Sequence, residues 1–494
     1  MRKSLALFAI LVVAACILAP GCGGSTSQSA YDQAQSALKA FQFAKAQKLY
    51  EQAAAKYEAD KNVKMAQAVR QGLQTIQCYL SDYPLTESDL REELTKTIPS
   101  MTQAQQTALI KSGKLEHITV DGKARYLSTV VENVLFRNMD LFRQSALLAG
   151  YNKFAVMAYN NFVMAPPGQP WQDYTKPASY KCTETISVPR AKLPQTGTLQ
   201  IWFPVPITSN PQPGSTVTAA VQADYVRYPQ ADADIGDFYM EVPLEKLSGD
   251  LNAQLDFNLT HYEQHFAVDP GKVGSYDKGD PEYKQYTRSY GNTTITPAIT
   301  TTTRKVVGSE KNPYLRAKKI YDWIVKNITY SLIPETTCWP RGKPISTYVY
   351  QHKYGDCGGQ SMLFSAMCRA LGIPARATGG FQLLSGKPQG HFWAEFFLPN
   401  YGWVPVDTSI GQMVEYATSV TAQQKTQIED WYFANQDNMR LIVQKDVDVP
   451  LVPTPSERVN SPGALQAPDA LCPTMKGVPG QVVSENWTIT SQQQ

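Results

Sequence analysis

The 494-residue chain has only five histidines, and none of its eight cysteines is spaced as Cys-x-x-Cys. No His-Glu-x-x-His occurs either, so the compact ligand sets that fix zinc are missing. Gly-x-Ser-x-Gly is absent, which removes the nucleophile elbow of a serine hydrolase. Gly386-Lys387 is followed by Pro388 and lacks the glycine spacing of a phosphate loop. Neither a metal nor a cofactor is therefore expected. A charge excess of one sign is lacking too, since 46 basic and 43 acidic side chains leave a formal charge of +3. Phosphate binding needs a clustered basic excess, so nucleic acid is not expected as a partner. Long apolar runs are confined to the first residues of the chain.

Apolar residues make up 43% and aromatic residues 11%, which excludes a mainly disordered chain. The length suggests about three domains at roughly 150 residues each. It needs no disulfide staple to bury a core. Arg2 and Lys3 precede an apolar stretch from Leu5 to Leu18. Spanning a bilayer takes about 20 such residues, so a secretory signal is the better reading. Leu18-Ala-Pro-Gly-Cys22 follows, and then Gly23-Gly-Ser-Thr-Ser27. A small residue before cysteine, with a Gly/Ser tether after it, resembles a bacterial lipobox. The resemblance implies a signal at 1–21, a lipidated Cys22 as mature N-terminus, and an anchor in the cell envelope. Cys16 is a second candidate, but Ile17-Leu18 makes a poor tether. Loss of Arg2 and Lys3 with the signal takes the formal charge from +3 to +1.

Residues 22–170 read as helical. Phe43, Ala46, Tyr50 and Ala53, with Ala34 and Ala37 before them, place small residues where two helices pack closely. The pattern resembles one tetratricopeptide hairpin, but about three repeats make a stable array, so a generic bundle stays equally open. These helices are also the expected seat of any protein partner. Val63, Ala66, Val69, Leu73, Ile76 and Leu80 continue an apolar stripe, and Val130 to Leu141 suggest a further buried helix before Pro166-Pro-Gly-Gln-Pro170. Residues 178–305 change period. Leu199, Ile201, Phe203 and Val205 alternate with Gln200, Trp202 and Pro204, as Leu255, Phe257 and Leu259 do with their neighbours. Period two means half-buried strands in a sandwich-like β domain. From 268 to 305 the chain reads as a connector. His261 and His265 lie in this strand pattern without a further ligand and are expected to be structural. Residues 413–494 form an extension whose Pro-rich tail, from Pro450, is expected to wrap a surface without periodic structure.

Residues 306–412 carry the chemistry. Asn312-Pro313 caps a helix whose buried face is Ala317, Ile320, Tyr321 and Ile324. Cys357 precedes a stripe of Leu363, Ala366, Met367, Ala370 and Leu371, which Gly372 and Pro374 end. Cys357 thus opens a helix, where free amides and the positive dipole end favour a thiolate and could hold an oxyanion. Cys368, within the stripe, reads as a buried structural thiol. His391 to Leu398 and Trp403 to Asp407 alternate as strands around the turn Pro399-Asn-Tyr-Gly402. A hairpin centred on Pro399 makes His391 and Asp407 direct cross-strand neighbours. A register slip of one residue would separate them onto opposite faces. On one face, Asp407 would orient the imidazole and His391 would take the Cys357 proton.

The ordered run Gly355-Asp-Cys357, Cys368-Arg-Ala-Leu-Gly-Ile-Pro-Ala-Arg376, Gly379-Gly380, His391-Phe-Trp-Ala-Glu395 and Tyr401-Gly-Trp-Val-Pro-Val-Asp407 resembles the transglutaminase-like superfamily core. The resemblance implies an α+β multidomain chain with a papain-like core and a Cys357–His391–Asp407 triad. It makes Arg376 and Trp403 structural residues. Trp339 and Gln360 are candidates for the oxyanion or substrate side chain. Trp431-Tyr-Phe433, Asp437 and Arg440 are similar to segments that follow this core in bacterial members. The expected activity is a cysteine peptidase or amidase acting on a peptide or protein through a thioester. A glutamine acyltransferase and a non-catalytic binding lipoprotein are the alternatives. Cys78, Cys182, Cys338 and Cys472 remain, and an exported setting permits disulfides among them in any of three pairings.

Overall fold

The structure, a computed structural model, describes residues 26–165, 173–230, 232–335, 341–383, 388–459, 463–475 and 477–492. Cys16, Cys22, the Pro166–Pro170 break, Cys338, Trp339 and Gly386-Lys387 lie outside them. The chain divides into two compact units, at Met1–Gly72 and Leu73–Gln494. In the first, helices Thr26–Lys39 and Phe43–Ala59 form a hairpin, and a third helix starts at Val63. Ala34, Ala37, Phe43, Ala46, Tyr50 and Ala53 are its buried residues, as the small-residue spacing requires. The hairpin's second helix leaves Gly72 no room for a side chain, because an added Cβ would overlap the Tyr50 ring.

In the second unit, residues 73–165 are mostly short helices, but a hairpin of His117–Val120 and Lys123–Tyr126 interrupts them. The helices bury Leu90, Leu94, Val130, Leu135 and Phe142 in one cluster with Tyr330 and Tyr416 from far along the chain. Buried Asn133 clamps the backbone of Leu332, donating to its carbonyl at 2.9 Å and accepting from its amide at 2.7 Å. Tyr416 donates to the Phe136 carbonyl at 2.7 Å. This part of the helical region is therefore a buttress of the segment around residue 332.

Two antiparallel sheets follow. One runs in the order Asn435–Gln436, Leu251–His265, Tyr174–Val188, Ser484–Gln492, with Ser215–Ala220 also paired to Leu251–His265. The other runs Asp469–Leu471, Thr198–Pro204, Asp237–Pro243, Tyr225–Arg227. Ile186, Leu199, Ile201, Phe203, Met240 and Leu255 fill one cluster. The expected alternation fails at Trp202, which is also fully buried, in a second cluster with Tyr239, Phe257, Phe381 and Leu441. That strand is covered on both faces. The tail is a correction as well. Its residues Asp469–Leu471 and Ser484–Gln492 are strands, and Trp487 and Ile489 pack into the second cluster. The stretch Glu485-Asn-Trp-Thr-Ile-Thr does alternate, but the prolines before it hid the period. The 268–305 connector also gains helices Pro281–Thr287 and Pro297–Val307, the latter burying Ile299, Thr303 and Val307. His261 is buried on strand Leu251–His265, and His265 Nε2 meets Glu263 Oε1 at 2.5 Å. Cys78, Cys182 and Cys472 are buried and form no disulfide with one another.

The remaining layer is a four-stranded antiparallel sheet in the order Gly402–Val406, Gln389–Leu398, Ala375–Gln382, Arg440–Gln444. Helix Cys357–Arg369 lies on it through Leu363, Phe364, Met367 and the strand residues Phe392, Ala394 and Phe396. Helices Pro297–Val307, Pro313–Asn327 and Ile345–His352 pack around the same helix. Every residue from Gly358 to Arg369 is buried, so the helix is central and has no solvent face. The chain is thus a mixed helix and sheet protein of several layers.

Asn133→Ala leaves two buried backbone groups of Leu332 unpaired. It is expected to cost about 2–3 kcal/mol of stability, read from the urea midpoint.

Candidate active site

Cys357 is the first residue of its helix, and Asp356 is the N-cap. The Asp356 carboxylate accepts from the Gly359 amide at 2.8 Å and from the Ile333 amide at 3.3 Å. The Gly358 amide also points at it. The helix amides expected to be free for a thiolate or an oxyanion are thus largely taken by a carboxylate. Burial first, and then the negative charges of Asp356 and Asp407, push the Cys357 thiol well above its ordinary value. The expectation of a resting thiolate is overturned, because burial and two acids outweigh the dipole. The backbone amides of Phe392 and Gly358 point at the sulfur and oppose that rise, the Phe392 amide more strongly. Cys357 therefore lies against the residue that follows His391. Gly358 is needed here, since a Cβ would stand 3.1 Å from the Phe392 ring.

His391 Nε2 is 2.8 Å from Asp407 Oδ2. A carboxylate only accepts, so Nε2 carries the hydrogen and Nδ1 is the basic nitrogen of the neutral ring. The register that brings the two together is not the expected one. Ala394 pairs with Val406 and Leu398 with Gly402, which centres the turn on Asn400, in the left-handed region at φ 76°. Carried one step on, that register sets Asp407 opposite Trp393, two residues from His391. A shift of two keeps the face, so His391 and Asp407 meet diagonally. Asp407 has in fact left the strand and caps helix Thr408–Met413. Its Oδ1 accepts from the Ile410 amide and the Ser409 hydroxyl, both at 2.9 Å. Against burial, the His391 ring beside it, the Arg440 charge and the hydrogen bonds from His391 and Ile410 hold its carboxyl far below the usual range.

Arg440 Nη1 also donates to Asp407 Oδ2, at 2.8 Å. Its Nη2 and Nε donate to Asp437 Oδ2 at 2.7 and 3.2 Å. From the tail, Gln466 Nε2 donates to the carbonyls of His391 and Gly380 at 2.9 and 2.7 Å, stapling the strand pair that carries the imidazole. Gln360 is fully buried, and its Nε2 donates to the Gly355 carbonyl and Gln412 Oε1, which ties it into the fold. Arg376 pairs with Glu395 at 2.6 Å and lies 4.1 Å from the Trp403 ring, and both line a cleft of about 650 Å³. Cys368 is fully buried in the helix, and burial pushes its thiol up. Sequence reading assigned no role to Asp356, Ser409 or Gln466. The only available signal was the acid immediately before the cysteine, an N-cap pattern.

Residues 300–408 match the family model of the transglutaminase-like superfamily. A stretch of the chain is 30% identical to an uncharacterized protein of Haemophilus influenzae, covering 21% of this chain and 34% of that protein. The chain spans about a third of the length of that relative. Among solved structures, a candidate cysteine protease from Cytophaga hutchinsonii aligns at 13% identity and a TM-score of 0.41, over 64% of this chain and 91% of the other. The periplasmic domain of TgpA from Pseudomonas aeruginosa aligns at 13% identity and 0.24, over 49% and 97%. Residues 300–408 are a transglutaminase-like core.

Asp356→Asn keeps an N-cap while removing the nearest negative charge. It is expected to raise the rate at which iodoacetamide alkylates Cys357 at neutral pH by several-fold. Site-resolved mass spectrometry gives the measurement.

Proposed function

We propose that the protein is a cysteine hydrolase of the cell envelope, anchored by lipid at Cys22, that cleaves a peptide or amide bond through a thioester. The observation that carries the reading is the His391–Asp407 bond through Nε2, with the Cys357 sulfur at the Phe392 amide beside it. Before attack the proton lies on Cys357 Sγ, and the Nδ1 of His391 is the nitrogen left to accept it. On attack, the Sγ–H proton passes to His391 Nδ1 while sulfur bonds to the substrate carbonyl carbon. Asp407 steadies the imidazolium that results. The tetrahedral adduct collapses, the amine leaves with the proton from His391, and a thioester remains on Cys357. Water, deprotonated by the same imidazole, attacks the thioester, and the acid leaves as the thiol is restored. An amine in place of that water would make the protein an acyltransferase.

His391→Ala is expected to slow Cys357 alkylation at neutral pH by at least about tenfold and to abolish turnover. Equal alkylation rates in the two proteins would favour a binding role for the fold. A glutamine peptide offered with a labelled amine is expected to be hydrolysed faster than it is labelled, and the reverse order would assign the acyltransferase. Cys22→Ala is expected to move the protein from the membrane fraction to the soluble one, and full retention would count against the anchor.

A further inference from the structure

Arg440 and Asp437 reach neither the sulfur nor a substrate, yet both are fully buried beside the dyad. Arg440 stands between two acids, with Nη1 on Asp407 Oδ2 at 2.8 Å and Nη2 on Asp437 Oδ2 at 2.7 Å. Its guanidinium lies 4.9 Å from the centre of the Trp393 ring. Asp407 Oδ2 is therefore shared between the imidazole and a permanent cation. Taken alone, that cation would cancel the charge an imidazolium at His391 requires. Asp437 reverses the cancellation. It binds two nitrogens of Arg440, and the three charged groups sum to −1 beside the ring.

The other titratable groups facing this set are neutral. Tyr432 donates its hydroxyl to Asp437 at 3.3 Å, and Tyr180 faces the same carboxylate. Tyr321 and Tyr330 face Asp407, their phenols raised by burial. His261, from strand Leu251–His265, faces Arg440 and Asp437. Burial first, then the Arg440 charge, push its ring down to about 3. Gln382 and the Met439 amide complete the shell, donating to Asp437 Oδ1 at 3.4 and 3.1 Å. Among the described residues, Asp407 and Asp437 are the acids that pair with Arg440.

The geometry points to Asp437 as the positioning residue that sets the proton affinity of His391, acting at one remove through Arg440. The inference rests on the thiol–imidazole reading given above. Its electrostatics make a demand that a purely structural role would not. Neutralising Asp437 leaves Arg440 opposed by Asp407 alone, so the net charge beside the ring goes from −1 to zero and the base weakens. Removing both charges together restores the net −1 carried by Asp407 alone.

The test is Cys357 alkylation by iodoacetamide, resolved by peptide mass spectrometry and followed against pH. It compares the wild type, His391→Ala, Asp437→Asn and the Asp437→Asn/Arg440→Gln double variant. Asp437→Asn is expected to lower the neutral-pH rate by about tenfold, the effect of one unit in the affinity of the base. The double variant is expected to regain most of that loss. Asp437→Asn at the wild-type rate, with His391→Ala slow, would overturn the inference and leave the thiol–imidazole reading standing. A double variant as slow as the single one, though folded, would also overturn it. Equal rates in His391→Ala and wild type would sink the underlying reading and the inference with it. If Asp437→Asn does not fold, the double variant decides. A pH midpoint within about half a unit of wild type supports the inference, and a displacement of about one unit overturns it.

Discussion

Asp407 accepts four hydrogen bonds on two oxygens, and its donors come from three separate parts of the chain. Ser409 and Ile410 are its own helix, His391 is the neighbouring strand, and Arg440 is the far strand of the same sheet. Every lone-pair site is used, so the carboxylate has one orientation, and through it the imidazole has one tautomer. The cost of burying such an ion is offset only while all four donors are in place. Sheet order follows from this demand. Strand Ala375–Gln382 separates His391 from Arg440, and its Gly380 leaves no room for a Cβ against the Leu441 carbonyl. A larger residue there would spread the strands and pull Arg440 away from Asp407.

Cys357 is held by a second chain of contacts that begins far away in sequence. Asn133 fixes Leu332, the next residue's amide reaches Asp356, and Asp356 caps the helix that Cys357 opens. Tyr354-Gly355 pairs with Thr329-Tyr330 alongside it. Residues 73–165 therefore contribute to the position of the sulfur without supplying a group that reacts. Their role as a buttress accounts for the apolar cluster that they share with Tyr330 and Tyr416.

How much of this could be read in the sequence depended on how local each cause was. The helix opened by Cys357 and the alternating run from His391 to Leu398 were legible, because cap, glycine stop and period two lie within a few residues. That His391 and Asp407 share a face was legible through parity. Their direct opposition was not, since Asn400 takes a left-handed conformation and moves the turn by one residue. Asp356 was visible as an acid but its effect on the sulfur was not, because burial decides whether a capping carboxylate helps or opposes a thiolate. The tail strands were missed for a different reason. Ser484–Gln492 pairs along most of Tyr174–Val188, and a partner about 300 residues away leaves no local mark.

Two acids flank Cys357, and they differ in what balances them. Asp407 shares its charge with Arg440 and faces the base, so its field acts on both partners of the proton transfer. It disfavours the thiolate and favours the imidazolium. Asp356 has only backbone amides opposite it and acts on the thiol. Both acids, added to burial, raise the Cys357 thiol. At the helix terminus the Gly358 amide acts the other way, but it does not outweigh burial and the two acids. In the proposed thiol–imidazole mechanism, an imidazolium beside a buried arginine calls for a second carboxylate. Asp437 occupies the position that this argument demands.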